Sequence, residues 1–188
     1  MSEPDRSRRA PDRRVRRTRQ ALIEAFNRLV LSRRYEDIRV ADIAAEADVG
    51  RSTFYDHYPG RDAIHLEALR RPLGLLADCV TGEGDPVVLT RLLGHFWDNR
   101  ALARSTFSGH QRSQVVRTLA ELIGERLGGA DDQACRILAI QLAEGQVGLI
   151  RAWVSGEVSA RPETIAEAIS QASAEACSRL RSPSPPPS

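Results

Sequence analysis

An all-α fold is predicted by three features of the sequence. Apolar residues recur at helical spacing almost throughout, Pro and Gly punctuate the joints, and no alternating β-branched run is long enough for a sheet. With 188 residues, 41% hydrophobic and 28% charged, the chain can bury a core without disulfide or metal staples. The expected organisation is a disordered basic arm over 1–12 and a compact helical domain over 13–60, or about 13–70 with the start of the connecting helix. A larger helical domain follows over 61–181, then a Pro/Ser tail over 182–188.

From about Val15 to Ser32, Leu22, Phe26, Leu29 and Val30 fall on one helical face. Residues 40–47 form a short Ala-rich helix, and residues 51–58 form another that Pro59-Gly60 ends. A fourth helix starts near Asp62 and meets Pro72, which should break or kink it. After the break at 81–86, helical patterning covers about 86–104, 112–127, 132–155 and 163–180. The expected joints are Ser105–Gly109, Gly128-Gly129 and Ser155–Pro162, with Pro162-Glu163 suited to the first positions of the last helix.

Charge narrows the possible functions. The sequence has 27 basic residues, all Arg, against 25 acidic ones, so chemistry built on a Lys Schiff base or a P-loop Lys is ruled out. Residues 1–20 hold eight arginines against Glu3, Asp5 and Asp12, whereas residues 71–188 are close to neutral. On charge alone, this layout suits either a solvated tail or the electrostatic footing of a nucleic-acid binder. Cys79, Cys135 and Cys177 are far apart, without a CxxC pair, and read as reduced, packed thiols. No secretory h-region and no uncharged apolar run near 20 residues is present, so a cytoplasmic protein without a membrane partner is expected.

The densest functional signal is at residues 38–58, IRVADIAAEADVGRSTFYDHY. A short helix, a tight Asp48-Val49-Gly50 turn and a second short helix make a helix-turn-helix. Val40, Ile43, Ala44, Ala47, Val49 and Phe54 lock it together, with Tyr58 on the buried side. Arg51, Ser52, Thr53, Tyr55 and His57 remain outward, supplying donors for base edges and phosphates.

Residues 15–70 resemble the N-terminal domain of the tetracycline-repressor (TetR) family of bacterial transcription regulators. The resemblance rests on Tyr35, on Val40-x-x-Ile43-Ala44, and on Ala47-x-Val49-x-x-Ser52-Thr53-Phe54-Tyr55-x-His57-Tyr58. Arg61 and Asp62 then precede the apolar Ala63-Ile64. The resemblance implies that Arg51, Ser52 and Thr53 touch base edges or adjacent phosphates, and that Tyr55 and His57 contact phosphates. It places Arg61 where a Lys commonly grips the DNA backbone, and it implies a close backbone approach at Gly50. Three positions depart from the pattern. Arg39 replaces a capping Thr or Ser and loses that cap unless it gains a phosphate contact. Asp48 stands for a common Gly, tolerable because Asp can adopt left-handed geometry, and Arg34 replaces another.

The segment 132–155 is apolar on most sides, and the last helix carries a stripe of Ile165, Ile169, Ala172, Ala176 and Leu180. Together they suit either an intramolecular core or a four-helix dimer interface, with Leu142, Leu149, Trp153, Ile165, Ile169, Ala172 and Ala176 as candidates. The stretch GQVGLIRAWVSG and the terminal amphipathic helix resemble the family's ligand-binding and dimerisation half. That resemblance implies a small-molecule pocket, for which His95, Phe96, Trp97, Phe107, His110, Gln141 and Gln146 are candidates.

The expected function is therefore a sequence-specific, homodimeric DNA-binding regulator, a repressor released from a palindromic double-stranded DNA operator by an unknown small-molecule effector. A helical protein-interaction module is the alternative, and an enzyme without a recognisable local motif is a further one. His57, His65, His95 and His110 show no short metal-ligand spacing, and no GxGxxG or local nucleophile–base pairing occurs, so no catalytic residue, cofactor or metal is expected.

Overall fold

The structure is a computed structural model, and it describes residues 9–33, 35–82, 84–108, 111–128 and 132–181, with the side chains of 9–12, Leu31 and Arg181 excepted. Among the described residues there are nine α-helices and no strands. The chain divides into two compact units, residues 1–68 and 69–188.

The first unit contains α1 (Arg9–Ser32), a single 3-10 turn (Tyr35–Asp37), α2 (Val40–Glu46), α3 (Arg51–His57) and the first turns of α4 (Arg61–Ala77). The helical spacing on α1 places Leu22, Ala25, Phe26 and Leu29 in the core. Ile38, Ile43, Phe54 and Ile64 complete it from the other elements, each fully buried. Phe26, Tyr35 and His65 form an aromatic cluster with ring centroids 4.7–6.4 Å apart. At the surface, Arg28 Nε donates to Glu46 Oε1 at 2.6 Å, tying α1 to the end of α2.

The second unit holds the rest of α4, a 3-10 turn (Asp78–Val80), α5 (Pro86–Asp98), α6 (Arg100–Ser108), α7 (Arg112–Leu127), α8 (Gln133–Val154) and α9 (Pro162–Arg181). Local chemistry marks the ends of these helices. The Asp85 carboxylate accepts from the Val87 and Val88 amides, with Pro86 at the first position of α5. The Asp132 carboxylate accepts from the Cys135 amide at 3.1 Å. Hydrogen bonds from Cys135, the thiol foremost, hold that carboxyl below its usual range. Gly128 closes α7 in the left-handed conformation, φ 71°.

α8 organises this unit, packing against α6, α7 and α9. By length and apolarity α8 could cross a membrane. In the fold, however, Ala139, Ala143, Val147, Ile150 and Trp153 are buried among the neighbouring helices, so one face of its apolar surface belongs to a core. Trp153 stacks on Trp97 at 5.0 Å, and its indole N–H donates to Ala160 O at 2.9 Å. Cys79, Cys135 and Cys177 are buried free thiols.

Four expectations about the elements need correction. α1 starts at Arg9, so residues 9–12 of the expected disordered arm are helical, while 1–8 and the 182–188 tail lie outside the described residues. α4 neither breaks nor ends at Pro72 but continues to Ala77. The missing Pro72 N–H leaves Ala68 O without its intrahelical donor, at the residue where the two units divide. Burial of Leu73, Leu76 and Ala77 offsets that loss. The expected helix 86–104 is two helices, because Asn99 Nδ2 folds back to donate to His95 O at 3.0 Å and closes α5 before α6 restarts. Consequently Ser105–Ser108, expected as a joint, belongs to α6.

The buried tryptophan provides a stability test for the second unit. Trp153→Ala removes a fully buried ring, its stacking partner and an indole hydrogen bond. The expected loss is about 3–5 kcal/mol, measurable as a lowered denaturation midpoint in urea.

Candidate nucleic-acid interface

The presentation of α3 is set by how the chain leaves α2. Val49 N donates to Ala44 O at 2.9 Å and Asp48 N to Ala45 O at 3.1 Å, while Asp48 has φ 53°. This is a Schellman closure with Asp in the position usually held by glycine. Asp is among the few residues that tolerate the left-handed well, as its residue type anticipates. At the other end of α2, Arg39 offers no side-chain cap, but the Asp42 carboxylate reaches back to accept from Arg39 N at 2.8 Å. Half of a capping box thus compensates for the missing hydroxyl. Arg39 itself is exposed.

α3 buries Phe54, followed by Tyr58 at its end, and turns its remaining face outward. Arg51, Ser52 and Asp56 are exposed, Tyr55 is 50% exposed, and Thr53 and His57 are half-buried. Tyr55 meets Phe54 in a T-shaped ring contact at 5.6 Å. Gly50 caps α3 with φ −70° and ψ 153°, a conformation any residue can adopt. A Cβ there would meet only Ser52 Oγ at 3.6 Å and Thr53 Oγ1 at 3.9 Å, which are ordinary contacts. Nothing inside the protein requires glycine at this position.

Arg61 differs from the expected phosphate grip. Its Nη1 donates to the carbonyls of Tyr35, Glu36 and Ile38 at 3.0, 3.1 and 3.0 Å, and its guanidinium lies 4.2 Å from the Tyr35 ring centroid. Tyr35 Oη donates to Asp62, the next residue on α4. Arg61 therefore closes the carbonyl end of the 3-10 turn between α1 and α2, where three carbonyl acceptors converge on one guanidinium nitrogen. Its charge is used inside the unit.

Two interface-supporting residues lay beyond the sequence reading. Arg19 donates from Nε to Tyr58 Oη at 3.2 Å and pairs with Glu67 at 3.4 Å, fixing α1 against the end of α3. Burial pushes the Tyr58 hydroxyl pKa up, against the opposing pull of Arg19. No local motif announces a contact across 39 residues.

The second-unit candidates separate into different environments. Phe96 and Phe107 pack edge-to-face at 5.3 Å in the core, and Trp97 is half-buried with Arg100 over its ring at 5.6 Å. His95 and Gln141 are exposed, and His110 lies outside the described residues. Gln146 is buried: its Nε2 donates to Ser173 Oγ at 3.2 Å and Leu76 O at 3.4 Å, while its Oε1 has no partner among the described residues. Of the dimer candidates, Trp153, Ile165 and Ile169 are sequestered in the unit's own core and have no surface to offer. Ala172 is exposed, and Leu142, Leu149 and Ala176 are half-buried.

The role of Arg61 is testable against a phosphate contact. Arg61→Ala should lower the stability of the first unit by about 2 kcal/mol, the scale of a lost charge-assisted hydrogen-bond set. Thermal and urea unfolding measure it, and a melting curve superimposable on wild type would return Arg61 to the surface role.

Residues 22–68 match the model of the bacterial regulatory proteins of the tetR family. An HTH-type transcriptional regulator of Bacillus subtilis (strain 168), YxbF, is 34% identical over 76 residues, 40% of this chain. The chain spans about a fifth of the length of that curated relative, the match covering 20% of it. Among solved structures, a TetR transcriptional regulator from Rhodococcus sp. RHA1 has a TM-score of 0.59 at 18% identity, covering 88% of this chain and 96% of that one. FadR of Thermus thermophilus, a TetR-family repressor solved with lauroyl-CoA, has 0.56 at 21%, covering 90% and 99%. At such identities the likeness is one of fold, and it extends over both units. Residues 22–68 are thus similar in sequence to the tetR family of bacterial regulatory proteins, and the chain shares its all-helical fold with solved structures of that family.

Proposed function

We propose that this chain is a cytoplasmic, sequence-specific DNA-binding transcriptional regulator that acts as a homodimer on a palindromic operator and is released by a small molecule. The observation that carries the reading is the outward face of α3. Arg51, Ser52, Thr53 and Tyr55 follow a glycine that the protein's own packing does not require. Hydrogen-bond donors at the start of a short helix, behind an unobstructed backbone, suit insertion into a major groove. His57 and Arg39 flank that surface as phosphate contacts.

The homodimer is supported by the outer face of α8, where Ile137 and Ile140 are 51% and 54% exposed. Beside them, a Cβ at Gly145 or Gly148 would meet no atom within 4 Å, so another helix can approach closely there. With Leu142, Leu149, Ala172 and Ala176 these residues form the proposed interface. Effector release is supported by Gln146, whose buried Oε1 has no donor among the described residues and lies in an apolar interior. Such a group costs roughly 1–3 kcal/mol, which a hydroxyl or N–H of a bound molecule would offset.

Selection of bound sequences from random duplex DNA tests the central reading. The expected product is a quasi-palindrome with half-sites about one helical turn, roughly 34 Å, apart or a multiple of it. Thr53→Ala/Tyr55→Ala should abolish protection of that sequence with helicity unchanged, and Gly50→Ser should weaken it while leaving the melting temperature level or raised. Wild-type affinity in the double variant would refute α3 as the reading helix. For the interface, Ile137→Arg/Ile140→Arg should convert a sedimenting dimer to a monomer; a wild-type monomer at micromolar concentration would end the dimer proposal.

A further inference from the structure

The Arg-rich end of α1 is helical, and three of its arginines point to solvent. The first buried residue of α1 is Leu22, and the last anchor before it is Arg19, held by Tyr58 and Glu67. From Arg9 to Thr18 the helix continues for about 15 Å, and no described side chain along it is buried. Arg13, Arg14 and Arg17 are exposed and enter no ion pair among the described residues. They form a tight triangle, 13 and 17 at i,i+4 and 14 and 17 at i,i+3, so their charges repel one another. Val15, the one large apolar residue described on this stretch, is itself 47% exposed.

A helical stretch with no buried side chain among those described and with crowded like charges is matched by an external row of negative charge. We propose that Arg13, Arg14 and Arg17 form a second DNA-binding site, engaging phosphates of the duplex outside the base pairs that α3 reads. The proposal rests on the reading of α3 as the DNA-contacting helix of the same unit. Duplex DNA carries a charge about every 1.7 Å of axis, so 15 Å of helix meets several phosphates. Guanidinium forks suit phosphate oxygens. A single exposed valine gives the stretch no apolar face for insertion into a lipid surface.

The test uses the full chain and a 40-base-pair duplex of random sequence, with affinity followed by fluorescence anisotropy across a potassium chloride series. Arg13→Gln/Arg14→Gln/Arg17→Gln should reduce the slope of log K against log salt by about 2.7 for each bound protomer, hence about 5.4 for a dimer with both protomers on the duplex, near 0.9 for each phosphate released. Arg13→Lys/Arg14→Lys/Arg17→Lys should restore the slope, because charge rather than helix propensity is at issue. Thr53→Ala/Tyr55→Ala should keep the random-duplex slope while losing the selected operator. An unchanged slope in the glutamine variant overturns this site, and the α3 reading still stands if the Thr53/Tyr55 variant loses the operator. Absence of duplex binding by the wild type overturns both. Binding to phosphatidylserine vesicles that the glutamine variant loses, with its DNA slope unchanged, assigns the cations to a lipid surface instead and also overturns the site.

Discussion

Everything α3 can present depends on the closure between Ala44 and Val49. Two backbone hydrogen bonds and one left-handed residue determine where the chain emerges from α2. From there, burial of Phe54 and Tyr58 determines which side of α3 is left for a partner. The closure is local, and its ingredients are adjacent in sequence. Asp48 is the expensive choice at a position where glycine is free of side-chain strain, yet its short polar side chain tolerates the geometry. The face carrying Arg51, Ser52 and Tyr55 follows from that one backbone reversal.

Arg61 illustrates the opposite case. Its place in the motif and its charge invite assignment to DNA phosphate, because a cation at the start of α4 is ordinarily a surface group. Its destination is instead set by three carbonyls from residues more than twenty positions away, which converge at the end of the 3-10 turn. An Arg stacked on Tyr35 satisfies them and holds the chain between α1 and α2 in place. Residue type and spacing were legible in the sequence. The convergence of acceptors was not, since nothing local shows which carbonyls the fold will bring within reach of one side chain.

The second unit carries the same lesson in its apolar stripes. Periodicity shows that a helix has an apolar face but not which element covers it. Trp153, Ile165 and Ile169 are covered by their own chain, whereas Ile137 and Ile140, on the same helix as Trp153, are left outside. Gln146, read as one polar candidate among several, proved distinct because its amide nitrogen is committed to Leu76 and Ser173 while its oxygen is not. His95 and Gln141, equally plausible by residue type, face solvent.

The sequence by itself determined the all-helical class, the helix-turn-helix and the outward residues of α3, because each depends on interactions within a few residues: helical periodicity, a reversal at Asp48, a stop at Pro59-Gly60. Tertiary structure alone decided the inward commitment of Arg61, the passage of α4 through Pro72 and the division of apolar stripes between core and surface. Those outcomes depend on which distant groups meet. A guanidinium goes where several acceptors converge, and a proline is tolerated in a helix where Leu73 and Leu76 of the following turn are buried. Local chemistry names the parts, and burial assigns their partners.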